Sequence, residues 1–128
     1  MGLSVDIKEK NDHAYIVDLK GSIDNESYQD LEKRFKKITN DYTRAVYLNM
    51  ACVDYVSSAG MGVLVTEKKL LQKNNAFFAM AGLQAPVKKV FDLMRLSTIF
   101  VILENLRDEE IDSILARHLE IPADQTRS

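Results

Sequence analysis

The chain has a single cysteine and only two histidines, and that scarcity removes several chemistries at once. One thiol, Cys52, rules out an intramolecular disulfide. With no apolar leader in front of it, the chain is expected in a reducing, cytoplasmic setting. Cys52 closes an apolar segment and reads as a small core residue rather than a reactive thiol. Cys52, His13 and His118 stand at no metal-ligand spacing, so neither a metal nor another cofactor is expected. No apolar run approaches the ~20 residues of a membrane helix, so no membrane span is expected and the protein reads as soluble. The net charge is only -2, and bases are interleaved with acids, as in Glu32-Lys33-Arg34. That pattern describes solvated helix faces, and no nucleic-acid partner is expected. A P-loop lysine, a complete dinucleotide fingerprint and a Gly-x-Ser-x-Gly elbow are all missing. With no acid/base pair either, the chain is not expected to be an enzyme.

What is present is an ordinary globular composition: 128 residues, 46% hydrophobic and 28% charged. This length suits one domain over residues 1–128 with a core that needs no staples. Val5–Lys10 and Ala14–Lys20 read as strands around the polar turn Asn11-Asp12-His13. In the second strand Tyr15, Val17 and Leu19 face one way, Ile16, Asp18 and Lys20 the other. Gly21-Ser22-Ile23-Asp24 breaks the pattern. Tyr28, Leu31, Phe35 and Ile38 then form the stripe of a helix over 26–38, with Asp24 and Asn25 as cap candidates. Strand 45–50, a helix from Ser58 to about Asn75, strand 77–81, helix 85–95, strand 99–103 and helix 108–119 follow, before a polar tail at 122–128. Pro86 falls in a helix first turn, where its missing N–H costs little. The alternation predicts an α/β fold with a mixed, mostly parallel sheet of about five strands and about four helices. In such sheets sites gather at the carboxyl ends of strands.

One such end carries the most informative stretch, Val53 to Val63, where Ser57 and Ser58 stand between a strand and a helix. A helix start has unpaired N–H groups and partial positive charge, so it favours a side-chain oxygen and accommodates a phosphate. The pair could act as a cap, a nucleophile or a phosphorylation switch. Gly60 and Gly62 each cost about 1 kcal/mol against alanine in a helix. A bare surface for a partner and tight packing on the sheet account equally for Gly60; packing is the better account of Gly62. On a helical wheel Val63, Leu64, Leu70 and Leu71 share a core arc. Met61 and Val65 lie off it, either as a protein-contact strip or packed under a neighbouring helix. Glu67 falls inside the apolar arc, where the wheel gives it no role.

Three segments together resemble the STAS domain family, in particular its free-standing bacterial anti-sigma factor antagonists. Gly21-Ser22-Ile23-Asp24 is similar to that family's Gly-x-Leu/Ile-Asp after the second strand. Ser57-Ser58-Ala59-Gly60-Met61-Gly62-Val63-Leu64 is similar to its Asp-Ser-Ser/Ala-Gly-Leu-Gly-Val-Leu motif. Val87–Phe91 with Leu96–Phe100 is similar to its third helix and the approach to its last strand. The resemblance spans residues 5–119. It implies a single STAS-like domain in which Ser58 is the phosphoacceptor and Ser57, standing where an aspartate is usual, is a secondary acceptor or a neutral replacement. Asn49 likewise stands where many members have an aspartate. The implied partners are a serine-kinase anti-sigma factor with a histidine-kinase-type ATP domain and a metal-dependent serine phosphatase. The implied contact surface comprises Asp24, Asn25, Ser57, Ser58, Ala59, Gly60, Met61, Gly62 and Val65. The alternatives are a scaffold or output module of another partner-switching pathway, or a small-ligand or nucleotide-binding domain using the same helix start.

Overall fold

The computed structural model describes residues 2–104. The helix expected at 108–119, with His118, and the tail at 122–128 lie outside these. Strand β1 (Leu3–Asn11) and strand β2 (Ala14–Ile23) form an antiparallel hairpin. Helix α1 (Tyr28–Ile38), strand β3 (Ala45–Val56), helix α2 (Ser58–Lys73), strand β4 (Phe77–Ala81), helix α3 (Ala85–Leu93) and strand β5 (Val101–Leu103) follow. The strands lie in chain order across one five-stranded sheet. Pairings β2–β3, β3–β4 and β4–β5 are all parallel. Each needs a crossover, and α1, α2 and α3 supply them. The expected mixed, mostly parallel α/β fold is the observed one, with three helices among the described residues.

Strand β3 runs six residues beyond the expected end at Met50. From Met50 onward its buried residues are Met50, Val53 and Val56, every third position, with exposed residues between them. Two irregularities in its pairing with β2 explain the spacing. Asp18 and Lys20 pair with Asn49 and Cys52, and Gly21 and Ser22 pair with Val53 and Tyr55. At each, β3 carries one residue more than its partner, and each such bulge re-aims the side chains that follow. Cys52 is exposed as a result, which corrects the expectation of a core thiol.

One core joins the three helices to one face of the sheet. Leu31 and Phe35 of α1, Leu64 and Leu71 of α2, and Val87 and Phe91 of α3 pack with Val17, Leu19, Val46, Leu48, Phe78 and Met80. A relay of rings ties the layers: Phe35 and Phe78 at 6.5 Å, Phe78 and Phe100 at 6.1 Å, Phe91 and Phe100 at 5.7 Å. Edge-on and tilted pairs of this kind add to what area burial alone contributes. On the other face Ala14, Ala45 and Ala79 surround the buried Tyr47, whose ring lies 5.8 Å from that of Phe77. Leu70 is 44% exposed, which corrects its place in the core arc, at whose edge the wheel puts it.

Candidate functional site

Only Ser57 separates the end of β3 from α2. Its extended backbone (φ -80°, ψ 174°) makes it the N-cap, and its Oγ accepts the Gly60 N–H at 3.1 Å. Its N–H donates to the Ile23 carbonyl at 2.8 Å, and its carbonyl accepts from Met61 N at 2.8 Å. Ser57 is 8% exposed, so its hydroxyl is both covered and already used. Ser58, the first residue of α2, is exposed, and no hydrogen-bond partner for its hydroxyl occurs among the described residues. Two adjacent serines of the same chemistry are thus separated by geometry into a structural one and an available one.

The next turn explains the glycines. A Cβ on Gly60 would lie 2.7 Å from the Ile23 carbonyl oxygen and 2.7 Å from its Cγ2. Gly60 is therefore required for α2 to start against the end of β2. A Cβ on Gly62 would meet nothing within 4 Å, so the packing reading of Gly62 is corrected: it is open surface. Met61 is 3% exposed and belongs to the core. This corrects its place in a contact strip, because the close approach allowed by Gly60 drives the first turn into the sheet. Val65 is half-buried against the same core. Over its first half, residues 58–66, α2 shows Ser58, Gly62 and Thr66 to solvent, a row at i, i+4 spacing on one face. Ala59 is half-buried beside it.

Beside this turn, β2 ends level with β3: Ile23 pairs with Val56. Ser22 Oγ donates to Asp54 Oδ1 at 2.7 Å across the two strands. Asp24 builds the entry to α1. Its Oδ1 accepts the N–H groups of Glu26 at 2.9 Å and Ser27 at 3.1 Å, and Ser27 Oγ at 3.1 Å. The Glu26 N–H above all, helped by Ser27, holds the Asp24 carboxyl below the usual carboxylate range. The α1 N-cap is Ser27 rather than Asp24 or Asn25, and Asn25 is exposed. Asp54 and the 54%-exposed Tyr55 join the same end of the sheet. Sequence reading missed Tyr55 as a surface residue, because the bulges that turn it outward are set by the pairing of β3 with β2.

The two positions without acids have local explanations. Asn49 Nδ2 donates to Asp18 Oδ1 at 2.8 Å, and its Oδ1 accepts Ala51 N at 3.1 Å, at the first bulge of β3. An aspartate at 49 would face the Asp18 carboxylate at that distance, so the amide removes a repulsion. At 57 serine is as good an N-cap as aspartate and carries no charge. For metals, Glu9, Asp12 and His13 bring ligand atoms within 4.8 Å of one another at the exposed β1–β2 turn. This turn lies at the start of β2, the opposite end of the sheet from Ser58, and Glu9 Oε2 already accepts His13 N at 3.0 Å. No described helix is long and apolar enough to cross a membrane.

Comparison with known proteins agrees with this geometry. The STAS domain family model matches residues 5–110. The anti-sigma-B factor antagonist of Staphylococcus aureus is 26% identical over 98 residues, 77% of this chain and 91% of that protein. An anti-sigma factor antagonist from Mycobacterium paratuberculosis superposes with a TM-score of 0.73 at 20% identity, covering 87% of this chain and 92% of its own. The Bacillus cell fate determinant SpoIIAA in its phosphorylated form superposes with a TM-score of 0.71 at 13% identity, covering 87% and 99%. At such identities the structures establish the fold, and the family match covers most of the sequence. The chain belongs to the STAS domain family.

Proposed function

We propose that this protein is an anti-sigma factor antagonist that works as a phosphorylation-controlled partner switch. In its unphosphorylated form it binds a serine-kinase anti-sigma factor, with a histidine-kinase-type ATP domain, through the Ser58 turn. Phosphorylation of Ser58 releases that partner, and a metal-dependent serine phosphatase restores the binding form. The observation that carries this reading is the exposed Ser58 hydroxyl on the first residue of α2, next to a buried serine that already serves as the cap. The antagonist names of the Staphylococcus relatives support it.

The chemistry fits a switch. A phosphoserine carries about -1.5 to -2 charges at pH 7. At N1 of α2 the N–H groups of the first turn and the helix dipole favour that charge, so the fold around it has no reason to rearrange. The effect falls on whatever docks there. The surface offered is the row Ser58, Gly62 and Thr66, together with the exposed Asn25, Asp54 and Tyr55 at the same end of the sheet as Ser58. Its small side chains leave room for a close approach, and a dianion in its midst adds bulk, desolvation cost and repulsion with Asp54 nearby in sequence. The test is partner binding by variants. Ser58→Ala should hold the kinase in the presence of ATP, whereas Ser58→Asp should weaken binding by at least about tenfold. Equal binding by the two would remove the mechanism.

A further inference from the structure

Between α1 and α2 lies a cleft of about 340 Å³, within the size range of small-molecule sites. Its walls are Phe35 of α1 and Val63 and Leu70 of α2, and its floor holds Glu67. Glu67 is 3% exposed. Thr39 Oγ1 donates to its Oε2, and that is its one hydrogen bond among the described residues. No described cation pairs with it. A buried carboxylate without a counter-charge is costly, and an apolar residue of similar size would pack the α1–α2 seam more favourably. Packing therefore does not account for the acid, and the described residues leave the wall beside it partly open, with Leu70 44% exposed. At the rim Glu32 and Asp41 are matched by Lys36 and Lys73, so the charge at the floor decides which ligand is favoured. Burial, opposed by the Thr39 hydrogen bond, raises the Glu67 carboxyl above the usual range.

We propose that this cleft binds a small organic ammonium ion with an apolar body, its N–H groups paired with the Glu67 carboxylate and its body between Phe35, Val63 and Leu70. Glu67 stands nine positions after Ser58 on α2, about 13.5 Å along the axis, so the site is separate from the phosphoacceptor, although Thr66 borders both the cleft and the switch surface. The probe is 2-phenylethylammonium, with 2-phenylethanol as the uncharged isostere, titrated into the full chain and followed by amide NMR shifts. The amine should give saturable shifts at Thr39, Val63, Thr66 and Glu67. The alcohol should bind at least about tenfold more weakly, because it lacks the charge-assisted hydrogen bonds. Glu67→Gln should lose the same factor for the amine and leave the alcohol unaffected. Binding of the amine should also weaken as pH falls through the Glu67 titration, and Glu67→Gln should remove that loss while leaving the other charged groups facing the cleft, Glu32, Asp41, Lys36 and Lys73, in place. Absence of saturable shifts at millimolar amine, or equal binding of amine and alcohol by the unaltered chain, would overturn the proposal without reliance on any variant.

Discussion

Gly60 and Gly62 stand two residues apart in one helix, and the structure predicts opposite outcomes for the same substitution. In an open helix position Gly→Ala stabilises by about 1 kcal/mol, because the backbone entropy lost on folding falls. Gly62 is such a position, since a Cβ there meets nothing within 4 Å. At Gly60 the new Cβ would sit 2.7 Å from the Ile23 carbonyl oxygen, 2.7 Å from Ile23 Cγ2 and 3.1 Å from Val56 Cγ1. The side chains of Ile23 and Val56 are in the core, at 0% and 5% exposure. The Ile23 carbonyl cannot retreat without lengthening the 2.8 Å bond it accepts from Ser57 N, which anchors the capping residue. Overpacking of this kind costs about 1–3 kcal/mol, and the propensity gain offsets only part of it. Gly60→Ala should therefore lower stability by about 1–2 kcal/mol, and Gly62→Ala should raise it by up to about 1 kcal/mol. Urea unfolding followed by circular dichroism measures both, with unchanged m-values expected. A Gly60→Ala protein at least as stable as the original would refute the packing of α2 on β2 described above.

Ser57→Ala should cost about 1 kcal/mol in the same assay through the lost cap, whereas Ser57→Asp should keep the cap and remain near the original stability. Ser58→Ala should change stability by less than about 0.5 kcal/mol, since the residue is exposed and makes no contact the fold needs. Glu67 gives a pH dependence with a definite sign. Its folded-state carboxyl is raised by burial, so the folded chain holds that proton longer than the unfolded one. Stability should fall as pH rises from the unfolded value, about 4.3, through the folded one, and stay low above it. Glu67→Gln, which can still accept from Thr39, should flatten that fall in pH-dependent urea midpoints. A wild-type and variant pair with the same pH profile would contradict the raised carboxyl.

Strand and helix order was readable because the parallel strands are continuous apolar runs and the helices carry clear stripes. The limits of β3 were not. The expected strand ends at Met50, while the observed one goes on with buried Met50, Val53 and Val56, and two bulges space those residues three apart. Cys52 was misplaced for the same reason. The wheel that put Met61 outside the core assumed one uniform buried face, but at its first turn α2 also meets the end of β2, so an additional arc is covered there. The wheel did place Glu67 inside the apolar arc. Its partner, Thr39, is 28 residues away, and no local pattern links them. At the site, the serine pair, the glycines and Asp24 were all legible as a group. Which serine is covered depends on one cap hydrogen bond, and Asp24 proved to be a turn builder, roles that residue types alone do not separate.

The most direct measurement is the position of the phosphate. The protein purified from its native cell, or treated with its partner kinase and ATP, can be cleaved and mapped by tandem mass spectrometry. This account predicts modification on Ser58, with Ser57 unmodified because its oxygen is held by Gly60 N beneath the surface. Phosphate on Ser57, or a serine pair that stays bare while the partner kinase is active on the chain, would contradict it.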